Sequence, residues 1–321
     1  LFGAESLIPV ALAVATTLDL AINLGFNPTR SIITDVTPDG KARTKGYTWM
    51  QTVSGTLGVA AYFLGAYFSN YTLIYVGVFI VLAFSIIPVF FIEEPKQLQA
   101  DTTNAEINAL DVQAHTQKAE INELIKIYFA NAFSWIGVQT MFVFMFAYAS
   151  QMLFNTNDSA SLDQTQNNKI GQIIGYSFLI LNAVGAILPA IVLEPLTKKY
   201  GRIAVQSTCL LIMSIAYGLI VWIGNSVTAL YCCMALAGIG WAAIVSLPFA
   251  IMSEKVNKQR MGLFMGIFNM SIVIPQLIVS LLIAQFIGSA ENKDLIFEIS
   301  AVSLFLSFIM WRLVKEKRAT A

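Results

Sequence analysis

The chain has 321 residues, 57% of them hydrophobic and 12% charged, and its nineteen Lys and Arg balance nineteen Asp and Glu. That apolar share excludes an ordinary soluble globular domain. The net charge of +0 gives no electrostatic footing for a nucleic-acid partner.

Nine apolar stretches follow one another: 5–27, 46–68, 71–92, 124–153, 170–194, 203–223, 227–252, 261–288 and 292–314. Most hold the ~20 residues that cross ~30 Å of hydrocarbon. They are continuous rather than alternating, which predicts helices and not a β-barrel. The first stretch carries Asp19, the one acidic residue placed deep within any of them. A carboxylate there costs ~2.5–3.5 kcal/mol on insertion scales, so it is expected to face water or a partner and to pick up protons readily. On a helix, Asn23, Asn27 and Arg30 all fall within about 80° of Asp19, forming one polar stripe, with Pro28 able to kink the helix before Arg30. The plainer alternative is that Asp19 ties two helices together and Arg30 anchors at the membrane face.

The connection after this stretch holds Asp35, Lys41, Arg43, Lys45, Gly46 and Met50. A similar order, Glu254, Lys255, Lys258, Arg260, Gly262 and Met265, follows the seventh stretch, a loose parallel repeat of the kind seen in two-bundle transporters. The polar segment 93–122 is predicted as a linker with a surface helix around 104–122. The fourth stretch puts Asn131, Trp135 and Gln139 on one helical face, with Tyr148 and Gln151 further on. Aromatic rings beside amides suit a sugar, whose C–H faces stack while its hydroxyls hydrogen-bond; helix packing is the competing explanation. The same two readings apply to Trp241, Ser246, Asn269 and Gln276. Segment 155–169 reads as an external loop, and Asn70 and Asn225-Ser226 as tight turns. Asn182 is expected to hydrogen-bond between helices, and Trp311 to anchor at an interface. The turn from Glu194 to Arg202 can latch neighbouring helices or simply carry topology-setting charge.

Seventeen of the nineteen basic residues fall in alternate connections and the C-terminal tail; only Lys169 and Lys293 lie on the other side. By the positive-inside rule the basic side is the cytoplasm, so the C-terminus is expected inside a multi-pass cell membrane protein. The start, Leu1-Phe2-Gly3, has no Met and no basic leader. An outside start and an odd number of spans predict a fragment lacking three N-terminal helices. The lone His115 falls in a loop, and Cys209, Cys232 and Cys233 lie inside apolar stretches. No metal site, disulfide framework, phosphate loop or catalytic triad is legible, and no cofactor is expected.

Four regions of the chain carry a family resemblance. Leu18-Asp19-Leu20-Ala21-Ile22-Asn23, Pro28-Thr29-Arg30 and Thr34-Asp35-Val36 resemble the fourth span of sucrose-type sugar transporters. These are a branch of the glycoside–pentoside–hexuronide carriers in the major facilitator superfamily. Gly238-Ile239-Gly240-Trp241-Ala242 with Ser246-Leu247-Pro248-Phe249-Ala250 is similar to the tenth span, and Met261 to Asn269 with Ile274-Pro275-Gln276 to the eleventh. Tyr200-Gly201-Arg202 resembles the end of a cytoplasmic loop motif. The resemblance implies an all-α membrane protein of the major facilitator fold, with nine of twelve helices present. Residues 1–92 would be the rest of an N-terminal bundle (spans four to six), 93–122 the cytoplasmic linker, and 123–321 a C-terminal six-helix bundle. It also implies proton-coupled symport of a disaccharide or related glucoside of the sucrose or maltose type, with no enzymatic step. Asp19 and Arg30 would be the family's membrane carboxylate and arginine; Asn23, Trp135, Gln139, Trp241 and Asn269 would line the site. Asp35, Gly201, Arg202 and Glu254 would form the cytoplasmic gate. Where plant members carry an acidic F-D-T-D segment, Phe146-Ala147-Tyr148-Ala149-Ser150 has no carboxylate, which points to a bacterial branch and leaves the sugar open. The expected partners are a sugar, protons and the lipid bilayer, with the protein a monomer. A Na⁺-coupled glycoside carrier and a non-transporting sugar sensor are the alternatives.

Overall fold

A computed structural model describes residues 40–67, 70–90, 120–158, 161–224, 226–256 and 260–316, with isolated positions between 10 and 37. Six helices in it are long and apolar enough to cross a membrane. The first, α3, runs Ile121–Phe154. Its 34 residues span about 51 Å at 1.5 Å per residue, so its first turns stand outside the hydrocarbon. Next come α4, Gln164–Leu188, which continues through a π turn at Pro189–Leu193 into α5, Glu194–Tyr200. Then follow α6, Arg202–Ile223, and α7, Val227–Ser253. Helix α8, Met261–Ile278, passes through a second π turn at Val279–Ile283 into α9, Ala284–Ser289, and α10 is Leu295–Arg312. Both π turns sit at prolines. Pro189 opens the first and Pro275 lies four residues before the second. Proline supplies no N–H to the i→i−4 ladder and crowds the carbonyl before it, so the helix widens there.

Ahead of these lie α1, Lys41–Tyr67, and α2, Asn70–Ile86, which ends in a 3₁₀ turn at Ile87–Phe90. Helix α1 is not among the six apolar spans, since Thr48, Gln51, Thr52, Ser54 and Thr56 dilute its middle. The apolar part of α2, Ile74–Ile86, is shorter than a full span. The described positions from Val10 to Thr34 are all helical. The linker 93–119 lies outside the described residues, and its predicted last residues, Ile121 and Asn122, belong to α3. The external loop is also shorter than 155–169. Asp163 caps α4 with a reciprocal capping box to Gln166, which draws Lys169 into the helix.

In the six-helix part, α10 packs between α3 and α6, α6 against α7, α7 against α4, and α8 against α3. Small residues let these helices approach. A Cβ at Gly137 would sit 2.8 Å from the Ser300 carbonyl oxygen on α10. Serines then bond between helices: Ser134 with Ser307 at 2.6 Å, Ser307 to the Ala130 carbonyl at 2.6 Å, and Ser214 to the Ala301 carbonyl at 2.8 Å. Each such bond contributes only ~0.6 kcal/mol in lipid, so close van der Waals packing carries most of the association. Trp311 corrects an expectation. It is not an interfacial anchor but fully buried, because α10 is wedged between two helices.

Candidate transport site and gate

Three helices bring aromatic rings and amides together. On α3, Trp135, Gln139 and Phe142 share one face, since spacings of four and three residues keep them within about 60°. Trp135 meets Trp241 of α7 at 6.0 Å between ring centres, nearly perpendicular, and Phe142 meets the same indole at 5.5 Å. Phe142 also packs on Phe178 of α4 at 4.9 Å. The Trp241 indole N–H donates to Asn182 Oδ1 at 3.1 Å, so Asn182 does form the expected interhelical bond. Gln139 is half-buried and makes no hydrogen bond among the described residues, leaving its amide available to a ligand. Trp135 and Trp241, chosen from sequence, therefore meet, and Gln139 shares the helical face of Trp135. Phe142, Phe178 and Asn182 complete the group.

A second layer lies further toward the basic end. The Arg30 guanidinium rests 4.2 Å from the Phe249 ring centre, and Tyr47 donates to the Arg30 carbonyl at 3.0 Å. Phe249 packs edge-on to Phe268 at 4.8 Å, and Phe268 on Tyr128 at 6.0 Å. Asn131, read from sequence as either a sugar contact or a helix-packing residue, is buried and takes the packing role. Its Nδ2 donates to Ser271 at 2.8 Å, joining α3 to α8. Ser246 is buried too and donates to the carbonyl of Ala242 within its own helix at 2.6 Å. Asn269 and Gln276 are half-buried on α8, and no hydrogen bond or ring contact among the described residues joins them to the aromatic group. Tyr148 and Gln151 sit at the opposite end, where Tyr148 donates to Gly224 O at 3.3 Å and Gln151 to Glu291 O at 2.6 Å. Asp19, Asn23 and Asp35 lie outside the described residues.

At the basic end three of the four predicted gate residues, Gly201, Arg202 and Glu254, come together. Arg202, at the start of α6, forms a two-pronged pair with Glu254, which follows α7; one prong, Arg202 Nη2 to Glu254 Oε2, is 2.5 Å long. Glu254 also accepts the Gly40 N–H at 2.6 Å, which ties the start of α1 to the same carboxylate. Two further residues reinforce it. Arg43 of α1 is fully buried and donates to the carbonyls of Thr34, Thr37 and Ser253, at 3.2, 3.1 and 3.5 Å. Glu316 accepts from the Arg202 backbone N–H at 2.7 Å and from its guanidinium at 3.2 Å. Lys255 pairs with Glu120 at 2.9 Å just ahead of α3. Gly201 has φ +88°, and a Cβ there would lie 2.5 Å from the Glu316 carboxylate, so glycine both makes the turn and admits the acid. The Glu194–Lys198 pair, by contrast, stays within α5 and latches nothing.

Above this latch, α1 continues against the other helices. Tyr47 stacks near Phe249, Thr52 accepts the Ala190 N–H at 3.3 Å, and Gly55 lies against Ala186. These named contacts run from Gly40 to Gly55, so α1 is sealed to α4 and α7 at the basic end.

Six helices apolar and long enough to cross a membrane, with an aromatic cluster and a charged latch at one end, describe a multi-pass helical membrane protein. The sequence profile of the Major Facilitator Superfamily matches residues 1–280 and, in an overlapping second match, 177–320; the chain belongs to that superfamily. It is similar to the sucrose transport protein SUT2 of Oryza sativa subsp. indica, 24% identical over 314 residues, covering 82% of this chain and 61% of that protein. It is also similar to the sucrose transport protein SUC4 of Arabidopsis thaliana, 24% identical over 309 residues, covering 82% of this chain and 59% of that protein. The chain thus spans about three fifths of the length of these relatives.

Proposed function

We propose that this protein is a secondary active transporter that carries a disaccharide or related glucoside together with protons. The observation that supports this most is the contact of Trp135 and Phe142 with Trp241, beside Gln139 on the same helical face as Trp135, whose amide has no hydrogen bond among the described residues. Indole faces stack on the C–H faces of a pyranose, and an amide offers both donors and an acceptor to its hydroxyls. The similarity to two sucrose transport proteins favours the same substrate class. Proton coupling is assigned to Asp19, whose place in an apolar stretch favours its neutral form. Arg30 would assist its deprotonation.

In this reading residues 1–92 and 123–321 act as two bodies joined by 93–122, and the basic end faces the cytoplasm. The Arg202–Glu254–Gly40 latch then closes the cytoplasmic side, leaving the pocket to fill from outside. Protonation of Asp19 and binding of sugar would favour release of the latch, and rocking of the two bodies would open the pocket inward. The test is uptake of labelled sucrose, maltose and trehalose by cells expressing the intact protein, with Na⁺ replaced by choline. Uptake of one of these sugars that persists in choline and falls with a proton uncoupler is expected. Loss of uptake in choline would assign the coupling to Na⁺, and no uptake of any glucoside would remove the sugar reading.

A further inference from the structure

We propose that Asn182 is the positioning residue of the pocket: it holds the Trp241 indole in the one orientation that receives the sugar ring. This rests on the sugar-transport reading above. The indole N–H can only donate, so it requires an acceptor, and Asn182 Oδ1 is that acceptor at 3.1 Å. The amide of Asn182 is not free to turn away, because its Nδ2 donates to the Phe178 carbonyl one turn earlier at 2.8 Å. Reversing the amide would set N–H against N–H and oxygen against oxygen, so both bonds define a single state. The second constraint lies one turn further along α4. A Cβ at Gly185 would fall 2.5 Å from Trp241 Cδ1, so the indole occupies the notch that the missing side chain leaves. Polar clamp and notch sit three residues apart on one face of α4 and hold two bonded atoms of the same pyrrole edge, Nε1 and Cδ1. With that edge held, Trp135 and Phe142 complete the setting through their perpendicular contacts.

A ring fixed this way offers its face to a sugar without first losing rotational freedom, which lowers the cost of binding. Each polar atom of Asn182 already holds one bond to the scaffold. In this assignment its effect on affinity passes through Trp241.

That requirement gives the experiment: sugar uptake kinetics in the intact protein for Asn182→Leu, Trp241→Phe and the double variant Asn182→Leu/Trp241→Phe, each normalised to membrane-inserted protein. Asn182→Leu is expected to raise the half-saturating sugar concentration about tenfold, the size of effect of one unmet buried hydrogen bond, with the maximal rate within about twofold of the parent. In the Trp241→Phe background, which has no indole N–H, Asn182→Leu should add little, because the two substitutions remove the same interaction. An equal tenfold loss in that background would overturn the assignment, since Asn182 would then act on its own. So would a fall confined to the maximal rate or to the amount of inserted protein, which marks a scaffold role. If the parent protein takes up no glucoside at all, the sugar reading fails, and that outcome is distinct because it appears before any substitution is made.

Discussion

Gly201 shows at the scale of one residue how the latch is built. Its backbone lies in the left-handed region, and the carboxylate of Glu316 fills the space where a side chain would go. Gly201→Ala is expected to cost ~1–2 kcal/mol from the backbone alone, and more from the displaced carboxylate. Gly262 is the control. It sits in the helical stretch of α8 with nothing near its absent Cβ, so Gly262→Ala should be neutral or mildly stabilising. Thermal midpoints of the two purified variants in detergent check this, and a midpoint for Gly201→Ala at or above the parent would contradict it. Glu254 is the second decisive residue, because one carboxylate serves Arg202 and Gly40 together. Glu254→Gln leaves the Arg202 guanidinium, 10% exposed, with only Glu316 as anionic partner among the described residues. Removing one partner of such a buried pair typically costs ~3–5 kcal/mol. The closed latch should therefore give way, read as faster thiol labelling from the basic side of a cysteine placed at Ser253. Unchanged labelling would separate the pair from gating. Little of this was legible in advance. Arg202 and Glu254 stood out as charges at helix ends, but Glu316 had no partner in view, because sequence spacing carries no signal for a contact across 114 residues. Arg43 was counted as one of the topology-setting charges and is instead fully buried.

At the scale of elements, the chain after α10 works as a strap. Lys126 donates to the Leu313 carbonyl at 3.2 Å, the Lys315 N–H donates to Glu123 at 2.7 Å, and Glu316 reaches the first turn of α6. A few residues therefore bind the start of α3 to the start of α6 around the buried Trp311. Truncation after Leu313 should uncover Trp311 and loosen both helix starts. Iodide quenching of tryptophan fluorescence is expected to rise and the thermal midpoint to fall. Unchanged quenching would show that the strap protects nothing. The apolar spans were readable because each supplies a continuous run long enough for hydrocarbon. Their ends were not. The basic cluster from Lys41 hides the start of α1, and Asp163 begins α4 inside what reads as a loop, because capping depends on local backbone geometry more than on hydropathy. Trp311 misleads for a related reason: a tryptophan near a helix end looks alike whether it meets lipid headgroups or neighbouring helices.

Across the whole molecule, the latch, the seal from Gly40 to Gly55 and the aromatic group share α7: Trp241 lies on it, α1 packs against it, and Glu254 follows its end. Transport by alternating access needs each to respond to the others, and in the proposed mechanism Asp19 is the element that links them. Of the residues chosen from sequence for the site, Trp135 and Trp241 meet, and helical periodicity puts Gln139 on the face of Trp135. Asn269 does not join them, since an amide on an apolar helix reads the same whichever neighbour it faces. The most direct test of the central claim is the external pH of lightly buffered, de-energised cells expressing the intact protein when its sugar is added. Sugar addition is predicted to make the medium more alkaline, and Asp19→Asn to abolish that change together with uphill accumulation. Sugar-driven alkalinisation or accumulation that survives Asp19→Asn would contradict the assignment of coupling to this carboxylate.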